Sequence, residues 1–185
     1  MWNKVALTPA QSARYARHIV LKDMGGAGQQ RLSAAHIAIV GAGGLGAPVI
    51  AYLAGAGIGK LTIIDPDTIS LSNLARQVIY SDADLDSPKA NAAARFAARL
   101  NPEITPMAKV ESLTPDNAKK LLSGADLVVE GTDSFAAKRA VAAACADLEI
   151  PLVTGALGPF DGSVTVLAPF LKRENGSHWP DFAAL

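Results

Sequence analysis

Short, nearly unbroken apolar runs alternate along this chain with longer stretches whose apolar positions recur at helical spacing. Residues 36–40, 60–65, 104–110, 127–130, 152–155 and 163–167 read as strands. Between them the pattern predicts helices over 44–56, 88–100, 115–122 and 135–148, with an N-terminal helix over 8–22 and a short helical turn at 29–33. Punctuation supports these bounds. Thr8-Pro9, Ser87-Pro88 and Thr114-Pro115 each set a capping hydroxyl before a proline at the first helical position. Gly25-Gly26 reads as the stop of the first helix, Asn101-Pro102 as the stop of another, and residues 70–80 as irregular. Alternating strands and helices predict an α/β fold, a Rossmann-like doubly wound, mostly parallel sheet with helices on both faces. Ligands of such sheets bind at the carboxyl ends of the strands.

The most informative segment is Gly41-Ala42-Gly43-Gly44-Leu45-Gly46, which directly follows the first strand. The strand near residues 60–65 then ends in Asp65. A strand, a glycine turn, a helix start and an acidic strand end at this spacing form a mononucleotide-binding unit. Gly41 permits the tight turn, Gly43 lets the backbone approach a phosphate, and Gly46 lets the helix pack closely. The helix N-terminus offers free N–H groups to an anion, and Asp65 is suited to ribose hydroxyls. The same glycine turn also occurs as a purely structural device. The preceding strand and the following carboxylate favour nucleotide binding.

Other polar residues fall at ends of the same sheet. Asn73 and Arg76 follow the second strand, Lys89 opens a helix, and Thr132-Asp133 follows the strand ending at Glu130. An arginine, a lysine and an aspartate at one crevice suit a nucleoside triphosphate with magnesium, whereas a dinucleotide redox cofactor needs no such set. Arg76 has a planar fork for phosphate oxygens, Lys89 a compact charge, and Asp133 an oxygen donor for the metal.

Three weaker patterns yield to simpler readings. Residues 55–60 imitate a phosphate loop but lead into a strand, as a helix stop and tight turn would. Asp82, Asp84 and Asp86 alternate like calcium ligands, yet Ser87 stands where that loop needs glycine. His18, His36 and His178 are too dispersed for a metal site. Cys145, the one cysteine, lies in an alanine-rich helical pattern as a buried thiol and allows no cysteine-based zinc site within one chain.

Composition narrows the classes further. The 185 residues carry 17 basic and 17 acidic side chains, so no excess positive charge argues for nucleic acid. The apolar runs are far shorter than the ~20 residues of a membrane-spanning helix, and no membrane association is expected. Residues 1–10 lack a leader pattern, which suggests a cytoplasmic location. One domain is expected over 1–185, with a helical segment at 1–35, the Rossmann-like core at 36–168 and a flexible tail at 169–185.

Taken in order, several motifs resemble the ThiF/MoeB/HesA family, relatives of the ubiquitin-activating enzymes. They are Arg14-Tyr15-Ala16-Arg17-His18-Ile19, Gly41 to Gly46, Asp65-Pro66-Asp67, Leu71-Ser72-Asn73-Leu74-Ala75-Arg76-Gln77, Pro88-Lys89 and Gly131-Thr132-Asp133-Ser134. The resemblance runs from about Ala13 to Val166. It implies ATP-dependent adenylation of the C-terminal glycine carboxylate of a ubiquitin-like sulfur-carrier protein with a Gly-Gly end, giving an acyl-adenylate and pyrophosphate. By the same resemblance, Gly44 contacts the phosphates, Asp65 the ribose, and Ser72, Asn73, Leu74, Ala75 and Arg76 line the nucleotide pocket. Arg76 and Lys89 stabilise phosphates, Asp133 coordinates Mg2+ with Ser134 beside it, and Arg17 serves the other subunit's site in a homodimer. The chain departs from the family pattern at its C-terminal end. Residues 169–185 carry no CxxC, so the resemblance implies a shortened member without the structural zinc site. Two other readings stand beside this one: a noncatalytic nucleotide-binding or scaffold member of the family, and an NAD-dependent oxidoreductase, whose ribose Asp65 also suits.

Overall fold

The computed structural model describes residues 6–184. Residues 1–5, which begin the stretch read as lacking a leader, and residue 185 lie outside the described residues. Strands β1 (His36–Val40), β2 (Lys60–Ile64), β3 (Thr105–Lys109), β4 (Leu127–Glu130), β5 (Leu152–Leu157) and β6 (Gly162–Leu167) form one sheet in the order β3-β2-β1-β4-β5-β6. The first five run parallel, and β6 returns antiparallel to β5. The doubly wound α/β fold expected from the alternating pattern is therefore present. Its strand order reverses between β1 and β4, where such sheets open a crevice for ligands.

Both faces of the central strands are covered, which explains their unbroken apolar composition. Ile37, Ile39, Leu61 and Ile63 pack against Ile50 and Ala54 of α4 (Gly46–Ala56) and Ala90, Ala93 and Ala97 of α5 (Lys89–Leu100). On the other face, Ala38, Val40, Ile64 and Val128 meet Leu121 and Leu122 of α6 (Ala118–Leu122) and Val141 and Cys145 of α7 (Phe135–Asp147). Small alanines on α5 and α7 bring the helix axes close to the sheet. The two edge strands differ: β3 carries Pro106 and Lys109, whereas β6 has neither proline nor charge.

The N-terminal segment departs from the continuous helix read over 8–22. Two short helices appear instead, Pro9–Arg14 and Ala16–Ile19, here called α1 and α2. Thr8 and Gln11 form the capping box that starts α1. The chain breaks at Tyr15, whose ring is buried against the turn after α4 and whose hydroxyl accepts a 2.8 Å hydrogen bond from Asn101 Nδ2. Gly25, read as a stop, instead begins α3 (Gly25–Ala34), which is longer than the turn expected at 29–33. Its φ of 57° is the left-handed entry that lets the chain reverse direction. Two proline-marked starts also shift. Pro88 itself caps α5 without a side-chain bond, and α6 begins only at Ala118 after a turn held by Asn117.

At the C-terminus, the segment read as a flexible tail has defined partners. Lys172 bridges His178, Trp179 donates its backbone N–H to Leu171, and Phe182 packs on the α7 face of the core. No helix among the described residues is long and apolar enough to cross a membrane.

Candidate nucleotide site

The glycine turn is built so that only glycine fits at its first and last positions. Gly41 has φ 93°, a left-handed conformation, and a Cβ on Gly46 would run into the Gly41 carbonyl oxygen. The turn thus folds tightly back on itself and starts α4 without a side-chain cap, leaving that helix end to its own N–H groups. Gly43 and Gly44 face open space bordered only by side chains. Positions where their Cβ atoms would stand lie 3.7 Å from Gln77 Nε2 and 3.7 Å from Arg76 Nε, respectively. The Arg76 side chain therefore borders the turn at Gly44.

Asp65, just past β2, closes the turn from the side. Its Oδ2 accepts the Ala42 N–H at 2.7 Å and its Oδ1 accepts the Asp67 N–H at 2.9 Å. Tyr80 adds a third tie by donating its hydroxyl to the Ala42 carbonyl at 2.8 Å. Burial raises the Asp65 carboxyl above the usual aspartate range, while the two backbone donors and the Lys89 charge pull the other way. Each carboxylate oxygen retains acceptor capacity beyond its one backbone donor. Burial likewise pushes the Tyr80 phenol well above its ordinary value.

Lys89 opens α5 on the same side, and its main chain bonds the Asp67 carbonyl at 2.8 Å. Its side chain is 9% exposed, and the ammonium group pairs with Asp67 Oδ2 at 2.8 Å, so the expected phosphate lysine already has an anionic partner. The Asp67 side chain is 63% exposed. Among residues 72–76 the functional roles divide. Arg76, Ser72 and Ala75 are exposed, Asn73 caps its own turn by accepting from Ser70 N–H, and Leu74 packs into the core.

Asp133 lies beyond the end of β4, the neighbour of β1 across the switch point. It is exposed, and its carboxylate makes no hydrogen bond or ion pair among the described residues. Ser134 accepts the Ala137 N–H at 3.3 Å and caps α7. A free hard oxygen donor at this point fits magnesium, which takes one or two carboxylates and completes its shell with substrate phosphates and water. No group of three or more metal-binding side chains occurs among the described residues.

Arg17 is not brought to this crevice. It is exposed on α2, which is anchored at the far end of α4. There Tyr15 rests on Gly57, His18 Nδ1 contacts Gln29 Oε1 at 2.9 Å, and Gln29 Nε2 donates to Ala56 O at 3.0 Å. The eleven residues of α4 separate that anchor from the glycine turn by about 16 Å.

Sequence reasoning missed the polar cluster beneath Asp133. Glu130, with a fully buried carboxylate, pairs with Lys138 of α7 at 2.8 Å. Thr132 and Thr154 bond the same carboxylate. A glutamate closing an apolar strand run was the available signal, because a buried carboxylate requires a cation and further donors. Asp67 and Tyr80 were also not assigned roles, since nothing in their spacing reveals which neighbour they reach.

Comparison with known proteins agrees with this geometry. The model of the ThiF family matches residues 15–178. The SAMP-activating enzyme E1 of Haloferax volcanii is 40% identical over 165 residues, covering 89% of this chain and 61% of that protein. The sulfur carrier protein ThiS adenylyltransferase of Escherichia coli is 40% identical over 171 residues, covering 91% and 67%. Among solved structures, the E. coli tRNA N6-threonylcarbamoyladenosine dehydratase TcdA in complex with ATP superposes with a TM-score of 0.76 at 32% identity, over 81% of this chain and 61% of that one. The chain spans roughly two thirds or less of the length of these relatives. A six-stranded Rossmann-type sheet, a glycine turn buckled by Asp65 and a family match over most of its length lead to one conclusion: the chain belongs to the ThiF family.

Proposed function

We propose that this protein binds ATP and adenylates the C-terminal glycine carboxylate of a ubiquitin-like sulfur-carrier protein. The observation that carries this reading is the convergence of Arg76, Lys89 and the open N-terminus of α4 around one glycine turn, with the unpartnered Asp133 carboxylate across the strand switch point. The relatives named as adenylyltransferases of sulfur carriers support the reaction class.

In this reaction a carrier carboxylate oxygen attacks the α-phosphorus of ATP. The new C(O)–O–P bond forms as the Pα–O–Pβ bond breaks, and pyrophosphate leaves with the bonding electrons. The obstacle is repulsion between anions, so positioning and charge neutralisation are what the protein supplies. The α4 N–H groups and Gly43 and Gly44 receive the phosphates, and Arg76 spreads its planar fork over them. Lys89 exchanges its bond to Asp67 for a phosphate oxygen, and Asp65 uses its remaining acceptor capacity on the ribose. Asp133 would hold Mg2+, which when bound would screen the triphosphate charge. No side-chain nucleophile is needed, which suits a chain whose one cysteine, Cys145, is buried.

Arg17 enters this reading through a second copy. Its anchor at the opposite end of α4 puts its own glycine turn out of reach, so a contribution to phosphate binding requires the site of a partner subunit in a homodimer.

The decisive experiment is carrier-dependent exchange of labelled pyrophosphate into ATP, using a carrier ending in Gly-Gly. Asp133→Ala is expected to lower the exchange rate by about a hundredfold, near 3 kcal/mol of transition-state stabilisation, while leaving the thermal melt unchanged. ATP binding without exchange would instead favour a nucleotide-binding scaffold.

A further inference from the structure

The Glu130 carboxylate gathers four donors from three separate parts of the chain. Oε1 accepts both the N–H and the hydroxyl of Thr132, each at 2.6 Å. Oε2 accepts Lys138 Nζ at 2.8 Å and the Thr154 hydroxyl at 2.6 Å. Lys138 also donates to the Gly155 carbonyl at 2.7 Å. One buried anion thereby ties the end of β4, the following loop, α7 and β5 together. Its acceptor capacity is taken up by protein donors, so it does not itself offer oxygens to a metal or nucleotide.

The direction of these bonds matters more than their number. An apolar residue at position 130 can pack α7 against the sheet, but it cannot hold the main chain of Thr132. Glu130 does hold it, one residue before Asp133. The next peptide units lead to Ser134, whose hydroxyl caps α7 and fixes the other side of Asp133. The Asp133 carboxylate is left without a partner among the described residues, on a loop pinned at both flanks. Gly131 completes the constraint, since a Cβ there would stand 2.9 Å from Leu45 Cβ, tying the loop to the glycine turn.

The geometry points to Glu130, Lys138 and Thr154 as positioning residues that hold the Thr132–Asp133 loop so that Asp133 meets the metal of a bound magnesium nucleotide. This rests on the reading of Asp133 given under the proposed function. Partners that orient a metal-binding carboxylate typically alter metal affinity by about tenfold to a hundredfold when removed. A purely structural ion pair would change stability and leave metal affinity alone.

The test measures the ATP dissociation constant by calorimetry with and without Mg2+, the ratio being the metal-linked gain. Lys138→Met is expected to cut that gain by about tenfold while ATP affinity without metal stays at the wild-type value, because Lys138 bonds Glu130 and Gly155 and neither the glycine turn nor Asp65. Lys138→Arg, which keeps a cation for Glu130, should recover most of it. If Lys138→Met does not fold, Thr154→Val removes one donor and keeps the ion pair, and a reduced gain is expected there as well. A wild-type gain in a folded Lys138→Met or Thr154→Val protein, with Asp133→Ala losing its gain, overturns the positioning role alone. If Asp133→Ala keeps the full gain, or the wild type has none, the reading of Asp133 as the metal ligand fails and this proposal falls with it.

Discussion

Asp65 and Ala42 are joined by a 2.7 Å hydrogen bond from the Ala42 N–H to a carboxylate oxygen, so the acid after β2 fixes the loop after β1. The second Asp65 oxygen receives the Asp67 N–H, and Asp67 in turn receives Lys89. One chain of contacts therefore sets the glycine turn, the residue suited to the ribose and the residue suited to phosphate. Asp65→Ala leaves the buried Ala42 N–H and the part-buried Asp67 N–H without their partner. It is expected to lower unfolding free energy by about 2 kcal/mol or more, read from urea denaturation, together with loss of ATP binding. Unchanged stability would mean that water replaces the carboxylate at no cost.

Ligand preference separates the nucleotide readings. Magnesium-ATP should raise the melting temperature more than NAD, because Arg76 and Lys89 answer a triphosphate. At a hundredfold excess over the dissociation constant the stabilisation amounts to about 2.7 kcal/mol. Thermal shifts with equal concentrations of the two ligands check this, and a larger shift with NAD would reverse the assignment.

The position of Arg17 gives a complementation test. Arg17→Ala and Asp133→Ala chains, each inactive alone, should recover part of the pyrophosphate exchange once mixed. A dimer carrying one of each has one site with its own Asp133 and the partner's Arg17 both intact. Absence of recovery in verified mixed dimers would count against sharing across subunits.

Cys145 provides the pH dependence. Burial among the α7 and β5 side chains pushes its thiol up to about 12 from an ordinary 9.0. A raised value in the folded state means that its contribution to stability is intact below pH 9 and is lost as the pH climbs toward 12. In that window the unfolding free energy should fall by roughly 1.4 kcal/mol per pH unit from this group, with Tyr80 adding a loss of the same sign above its ordinary value of 10.0. Cys145→Ala should remove the thiol part of the slope in urea titrations. The native thiol should also resist alkylation by iodoacetamide until the protein unfolds.

Much of the fold was legible because burial on both sheet faces forces apolar runs, as in Ile37 to Val40 and Leu61 to Ile64. The glycine turn was legible because its conformational and steric demands admit few residues at Gly41 and Gly46. Short-range signals served less well where distant packing decided the outcome. Tyr15 breaks the first helix because its ring and hydroxyl are claimed by Gly57 and Asn101, neither near in sequence. Gly25 starts a helix in place of ending one, since a left-handed residue can serve either side of a reversal. In the site, Arg76, Asp65 and Asp133 were visible as polar residues at strand ends. The engagement of Lys89 by Asp67 and the hub at Glu130 were not, because a side-chain pairing across 22 residues, or from β4 to α7 and β5, leaves no periodic trace.

The contrast between the two outer strands gives the sheet a direction of growth. Pro106 withholds an N–H from β3, and Lys109 would carry its charge into any new neighbour, so that margin is blunted against further strand pairing. The β6 margin has neither safeguard, and its Val164 and Val166 side chains are 74% and 39% exposed. As the outermost strand on that side, β6 leaves the backbone groups of its outer edge unpaired by the sheet. A polypeptide seeking to lengthen this sheet therefore finds a template beside β6, on the side of the crevice that holds Asp133 and away from the side that holds Lys89.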